Sequence, residues 1–572
     1  MLPNRADTVF TGGTVHTLDA TGRLAQALAV RGGRIAAVSA AAEIAPLIGP
    51  RTRVIALDGR SVLPGVNDSH LHGVWLGALW PDLLLNRLTG GARAQGPSQG
   101  LPQGLPRPPH GPPRESPHAP PHGPPRESPH GPPRESPLGE VRPAEGEPAR
   151  EVRLETGEQR RAAILRTGRI LAELGITSYT EPGLGPGEDE GPTGCFGAAA
   201  LREYATLAEE GLLTARVTAL MLFGRLDGPS SVAGLREGLR TFRPPAEVPG
   251  RLRVAGVKIF ADGIPPMGTA WTDQPYGDGG HGGLLVEGSS PEALAEMIAL
   301  THEAGYQAGV HATGGRAIRA AAAAMEMAAG GGRHLAWEGR GGREGRGGRH
   351  LAWEGRGGRE GRGGRHLAWE GRGGRHLPGA ARSGGDLAGA ARDGGDLTRA
   401  AGEGRNPATA AGELRHYIIH GDLVTSDTLA VMARAGIGLT TQPGIAEATA
   451  GLLAAALGPE ALRRAWPLRE ALAAGVRLCL SSDAPVVTPD WRTAVAQAVA
   501  RGLTLDEALR ACTVVPAWQD GAEDWKGTLE PGKAADLCVL GGSLLEVEPA
   551  ALPQVPVVLT MVDGRIVHEA GL

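Results

Sequence analysis

His70 and His72 stand two residues apart at the end of Leu63-Pro-Gly-Val-Asn-Asp-Ser-His-Leu-His. Residues i and i+2 of a β-strand face the same side, so this spacing can aim two imidazoles at one metal ion. Three other residues close short apolar runs: His311 after Gln307-Ala-Gly-Val, His420 after Tyr417-Ile-Ile, and Asp483 after Leu478-Cys-Leu-Ser-Ser. A lone histidine at a strand end is commonly structural, but four histidines and an aspartate at the ends of four strand-like runs point to a metal centre. The four cysteines, Cys195, Cys479, Cys512 and Cys538, have no CxxC spacing. They suit buried thiols in a reducing compartment and not a disulfide framework or a cysteine zinc site.

Lysine usage adds a second signal. Of 58 basic residues only Lys258, Lys526 and Lys533 are lysines. Lys258 lies in Ala255-Gly-Val-Lys-Ile-Phe-Ala-Asp262, an apolar strand pattern where an uncompensated ammonium is costly and tends to lose its proton. A neutral amine can take up CO2 as a carbamate, an anionic ligand able to bridge two metal ions. Arginine stays charged and cannot do this. The competing expectation is a structural ion pair between Lys258 and Asp262.

These residues need a scaffold that brings strand ends together. Strand-like runs occur at Val62–His72, Ile176–Glu181, Ala215–Phe223, Arg253–Asp262, Gln307–Ala312, Tyr417–Asp422, Gly438–Gln442 and Arg477–Asp483. Amphipathic stretches such as Gln159–Leu174, Pro291–Ala304, Ile318–Ala328 and Ser426–Ala435 fall between them. Eight strands with interleaved helices predict an α/β fold, a (β/α)8 TIM-like barrel, whose active site lies at the C-terminal strand ends. The histidines and Asp483 then end strands 1, 5, 6 and 8, and Lys258 lies in strand 4. The two chain ends differ. Asp7–Leu57 is a series of short paired runs broken by Gly-Gly and Asp-Gly turns. Asp536–Leu540 and Val557–His568 share that character, with a turn at Asp563-Gly564. A small β-sandwich built from residues 1–60 and 525–572, flanking a barrel over 61–524, is the expected organisation.

Two tracts interrupt it. His-Gly-Pro-Pro-Arg-Glu-Ser-Pro recurs at His110, His122 and His130, and Arg-His-Leu-Ala-Trp-Glu-Gly-Arg-Gly-Gly recurs at Arg333, Arg349 and Arg365. Proline density and the lack of apolar area predict disordered insertions over 91–150 and 329–408. Eight of the 17 histidines lie in these repeats, which leaves nine as site candidates. The 572-residue chain has a net charge of −4, which argues against a nucleic-acid or membrane surface as the main partner. No apolar run reaches transmembrane length, and the N-terminus lacks a secretory apolar region. A cytoplasmic protein acting on a small molecule is expected, with a homodimer as one expected assembly.

The stretches Val62–His72, Gly175–Gly183, Val257–Gly263, Val310–Ile318, Arg415–Val424 and Leu480–Pro485 resemble the amidohydrolase superfamily, specifically the amidohydrolase family 3 group that includes N-substituted formamide deformylases. Gly527-Thr-Leu-Glu-Pro-Gly-Lys533-Ala-Ala-Asp536-Leu and Val562-Asp-Gly-Arg-Ile-Val567 are similar to that family's C-terminal β-sandwich return, which gives Lys533 a turn role. The resemblance implies a binuclear centre, most simply of two zinc ions. His70, His72 and Asp483 would hold the more buried ion and His311 and His420 the second, with carboxylated Lys258 bridging both. It implies hydrolysis by a metal-activated hydroxide, with Asp483 as the catalytic base and then acid. The chain departs from the family after the strand-5 histidine, where His311-Ala-Thr-Gly-Gly-Arg316 replaces the frequent Gly-Asp. Trp271, Tyr276 and His281, in the Gly-rich loop after strand 4, and Arg316 are the candidates for substrate contact.

The expected function is therefore metal-dependent hydrolysis of an amide or formamide C–N bond other than a peptide bond. A deaminase or cyclic-amide hydrolase of the same superfamily is the near alternative, and a non-catalytic scaffold carrying interaction repeats is the distant one.

Overall fold

The computed structural model describes residues 5–85, 152–277, 279–330 and 414–571. Both repeat tracts lie outside the described residues, apart from Ala329 and Gly330 at the end of helix Gly315–Ala329.

Eight parallel strands follow one another in chain order around a barrel: Val66–Asp68, Ile176–Leu184, Arg216–Leu222, Leu252–Phe260, Gln307–Ala312, Tyr417–His420, Gly438–Thr441 and Leu478–Leu480. Each pairs in parallel with the next. The first and eighth meet beyond their C-terminal ends, where Asp483 N donates to His70 O and His72 N to Ala484 O, both at 2.8 Å. Parallel neighbours need long crossovers, and helices supply them. Their starts are written locally. Thr156 and Gln159 form a capping box on Gly157–Glu173, while Ser290 and Thr425 cap Pro291–Glu303 and Ser426–Ala435.

The expected first strand divides in two. Ser61–Pro64 pairs with Thr8–His16 and Leu537–Leu540 in a sheet made from the chain termini, and only Val66–Asp68 enters the barrel. The switch falls at Gly65, where a Cβ would stand 2.2 Å from Thr177 Oγ1. That close approach lets the chain leave one sheet and join the other within a single residue. His70 and His72 consequently lie past the strand, so strand alternation does not bring them together. The eighth strand is likewise shorter than the expected Arg477–Asp483, and Asp483 sits three residues beyond it.

The terminal sheet runs in the order Arg565–Glu569, Val557–Val562, Leu537–Leu540, Ser61–Pro64, Thr8–His16, Leu24–Arg31, Arg34–Ser39, with Arg53–Ala56 also pairing with Thr8–His16. Both termini contribute, as the sequence predicts, and the sheet has its own buried cluster around Phe10, Leu28, Leu57, Leu537 and Leu559. The larger barrel core also takes in Leu63, Cys538, Leu540 and Val557 from that sheet. All four cysteines are buried and unpaired. No helix among the described residues is long and apolar enough to cross a membrane.

Candidate metal centre

His70 Nε2 and His72 Nε2 each lie 3.3 Å from Asp483 Oδ1. Ligand atoms about 2.0–2.1 Å from a tetrahedral zinc ion stand about 3.3 Å apart, so each histidine has the spacing to Asp483 of two ligands on one ion, and the ligand atoms of all three residues lie within 4.8 Å of one another. Two irregular segments build it. His72 precedes helix Gly73–Leu79, and Asp483 adopts a left-handed backbone with φ 59°. Asp68 joins the segments, accepting from His70 N at 3.2 Å, Ser482 N at 3.1 Å and Ser482 Oγ at 2.6 Å. A non-glycine residue held in the left-handed region costs free energy and marks a site that the surroundings over-determine.

His311 and His420 adjoin this triad, with ring centroids 4.5 Å apart and His420 5.4 Å from His70. Their hydrogen bonds select the free nitrogen of each ring. His311 Nε2 lies 3.2 Å from Gly263 O, an acceptor, so that nitrogen carries the proton and Nδ1 keeps its lone pair. His420 Nδ1 lies 2.8 Å from Gln442 Oε1, which leaves Nε2 free. Gln442 is itself oriented by donating from Nε2 to Ser481 Oγ at 2.9 Å. His420 also has a left-handed backbone, φ 72°.

Lys258 is buried on the fourth barrel strand, its Nζ 4.6 Å from the Phe260 ring centroid. The alternative partner is engaged elsewhere. Asp262 accepts from Trp271 N (2.8 Å), Thr313 N (3.0 Å) and Gly314 N (2.9 Å), and among the described residues it makes no ion pair with Lys258. Burial lowers the Lys258 pKa to about 8, against the pull of Asp483 and Asp227. Asp227, an exposed residue on the loop after the third strand, is a further acid close enough to interact electrostatically with Lys258, Asp483 and His72.

The donor set fits a divalent cation. Burial keeps His70 and His311 well below the ordinary histidine range and His420 at about 4, so all three present neutral imidazoles. At His72 burial is outweighed by Asp483 and Glu181, which raise it to about 9 and thereby favour positive charge at this point. Burial would raise Asp483, but His70, His72 and His420 hold its carboxyl well below the usual range. Asp483 Oδ1 is buried without a hydrogen-bond partner among the described residues, as expected of an atom whose partner is a cation.

Sequence reasoning passed over Glu181 and Gln442, although each ends a strand-like run. Glu181 is fully buried and accepts at Oε2 from Gly73 N (2.6 Å), Tyr204 Oη (2.8 Å) and Val74 N (3.3 Å). Its Oε1 lies 3.6 Å from His72 Nδ1. Two of the substrate-contact candidates, Tyr276 and His281, bond within their own loop. Tyr276 Oη donates to Ala270 O at 3.0 Å, and His281 Nδ1 lies 3.0 Å from Thr272 O. Trp271 O accepts from Arg316 N at 3.1 Å, and the Arg316 side chain lies 3.9 Å from Asp273. Aromatic rings do line the centre elsewhere: Phe196 stands 5.4 Å and Trp75 6.1 Å from His72.

Comparison with known proteins agrees with this architecture. The chain is 34% identical over 152 residues to an N-substituted formamide deformylase of Arthrobacter pascens, a match over 24% of this chain and 28% of that protein. It is 23% identical over 167 residues to the putative amidohydrolase YtcJ of Bacillus subtilis (strain 168), over 27% of this chain and 32% of the relative. The matched stretches thus span about a third or less of these relatives. In fold, it superposes on an uncharacterized metal-dependent hydrolase of Pyrococcus furiosus with a TM-score of 0.56 at 16% identity, covering 95% of this chain and 99% of the other. A Xaa-Pro dipeptidase gives a TM-score of 0.54 at 14% identity over 98% and 99%. The profile described as the amidohydrolase family matches residues 123–352 and 388–568, well over half of the sequence, and the chain belongs to that family.

Proposed function

We propose that this protein is a metal-dependent hydrolase of amide or formamide C–N bonds, acting on a small molecule in the cytoplasm. The carrying observation is the convergence of His70 Nε2 and His72 Nε2 on Asp483 Oδ1, 3.3 Å from each. These three residues would hold one divalent ion, most simply zinc. His311 Nδ1 and His420 Nε2 would hold a second. Lys258, its pKa lowered to about 8, would bridge the two as a carbamate. In that reaction the neutral amine forms a bond to the CO2 carbon and releases a proton to solvent.

Divalent ions bound here would supply an ionised water at neutral pH and polarise the substrate carbonyl. The chain's own part is positional and protonic. Asp483 stays ionised beside the histidines, so its carboxylate can accept a proton from the attacking water and return it to the leaving amine. Gln442 and Gly263 O fix the two ring tautomers, and Phe196 and Trp75 form an apolar wall beside His72. The similarity to an N-substituted formamide deformylase supports the formamide reading.

The test is metal analysis of the purified full chain, followed by chelation and reconstitution against N-formyl, N-acyl and cyclic amides, amino-heterocycles and Xaa-Pro dipeptides. Bound divalent metal and chelator-sensitive hydrolysis of formamides or amides are expected. Cleavage confined to dipeptides would move the bond class to peptides, deamination alone would move it to amidines, and a metal-free, inert protein would overturn the reading.

A further inference from the structure

The structure assigns to Glu181 a role beyond the ligand set: we infer that it is a positioning residue for His72, its Oε1 taking the Nδ1 proton so that Nε2 faces the metal. The inference rests on the reading of His72 as a ligand. Glu181 Oε2 already has three donors, the amides of Gly73 and Val74 and the Tyr204 hydroxyl, which in turn accepts from Tyr179 Oη at 2.9 Å. Oε1 has none. It is buried and lies 3.6 Å from His72 Nδ1, which is also buried without a hydrogen-bond partner among the described residues. Two unsatisfied buried atoms therefore face each other, one a carboxylate oxygen and the other a ring nitrogen able to carry a proton.

No arginine or lysine among the described residues forms an ion pair with Glu181. A fully buried carboxylate needs hydrogen bonds and a compensating positive group, and the group that faces Glu181 Oε1 is His72. The surroundings look fitted to it. A Cβ on Gly73 would lie 2.5 Å from Tyr204 Oη and 2.8 Å from Tyr179 Oη, so only glycine lets both tyrosines approach beside His72. Metal-binding histidines commonly donate their second N–H to a carboxylate, which fixes the tautomer and raises ligand basicity. Glu181 is the acid available to His72 on that side.

The arrangement makes Glu181→Gln a sharp test. The amide oxygen must face the three donors now on Oε2, which turns the amide NH2 towards His72 Nδ1. Nδ1 must then accept, and the proton moves to Nε2, the atom needed for the metal. The full chain is loaded with Zn2+ in competition with a chromophoric chelator, and separately with Co2+ for its visible spectrum. Glu181→Gln is expected to weaken zinc binding about 10–100-fold and to change the cobalt spectrum, with the thermal midpoint of the metal-free protein nearly unmoved. Zinc affinity within two- to three-fold of wild type, with an unchanged cobalt spectrum, overturns the inference. Should the variant not fold, 15N-histidine correlation spectra of zinc-loaded wild type decide, with His72 identified by its loss in His72→Asn. A proton on Nδ1 of His72 supports the inference and a proton on Nε2 overturns it. Wild-type protein that binds neither metal would refute the metal-centre reading itself, a result distinct from either of these.

Discussion

His420 donates from Nδ1 to Gln442 Oε1 at 2.8 Å, and that bond leaves Nε2 as the ring nitrogen free for the proposed metal ion. Turning the Gln442 amide over would place its NH2 against His420 Nδ1 and force that nitrogen to accept, so the present orientation, with Nε2 donating to Ser481 Oγ, goes with a free Nε2 on His420. Gln442→Leu should therefore weaken divalent-ion binding about 10–100-fold, whereas Gln442→Glu, which keeps an acceptor, should bind as well as wild type. Chelator-competition titrations check this. Equal affinity in the leucine variant would show that the bond does not orient His420.

The barrel was legible because its strands are apolar runs separated by amphipathic helices, and Gln307–Ala312 and Ser426–Ala435 have the same bounds in structure and sequence reading. The first strand was not, because Val62–His72 is one continuous pattern shared by two sheets. The change of partner is made through Asp536, Gly175 and the close approach of Thr177, all distant in sequence from Gly65. Glu181 and Gln442 were written at strand ends exactly as His311 and His420 were. They escaped notice because glutamate and glutamine signal no metal chemistry by type. Only the direction of their oxygens, towards Nδ1 of a histidine, gives them a role.

Acid should destabilise the fold through two histidines remote from the candidate centre. His416 Nδ1 accepts from Ala308 N at 2.9 Å, so its Nε2 carries the proton and donates to His302 Nδ1 at 2.8 Å. Burial lowers both His416 and His16 to about 4. Above pH about 6.5 both rings are neutral in either state and their contribution is complete. As pH falls below that value the unfolded chain takes up protons that the folded chain refuses. Each group then costs up to about 1.4 kcal/mol per pH unit until its folded pKa is reached. Thermal midpoints of His416→Gln measured between pH 7 and 4.5 should fall less steeply than those of wild type. Parallel curves would refute the assignment.

Lys526 and Asp520 form a buried ion pair at 2.7 Å, with Lys526 Nζ also 3.2 Å from Ser178 Oγ and Asp520 accepting from Asn67 Nδ2 at 2.7 Å. Removing one charge strands the other. Lys526→Met should cost about 3–5 kcal/mol, and the double variant Lys526→Met/Asp520→Asn should recover most of it. Urea unfolding measures both, and a single variant as stable as wild type would mean that water reaches the pair.

Lys258 offers the most discriminating substitution. A structural ammonium needs an anion; Asp262 spends its oxygens on three backbone amides, so the anions that pull on Lys258 are Asp483 and Asp227, at the candidate centre itself. The lysine's lowered pKa, about 8, leaves a fraction of neutral amine at physiological pH, the form that can add CO2. Arginine has no such form. Lys258→Arg and Lys258→Ala should therefore both lose several orders of magnitude in kcat, each ten-fold being about 1.4 kcal/mol in the barrier. Only the alanine variant leaves a cavity, so small carboxylates such as acetate or propionate should restore part of its activity and none of the arginine variant's. Near-normal turnover by Lys258→Arg would make Lys258 a structural residue and remove the bridge between two ions, leaving His70, His72 and Asp483 to hold a single one.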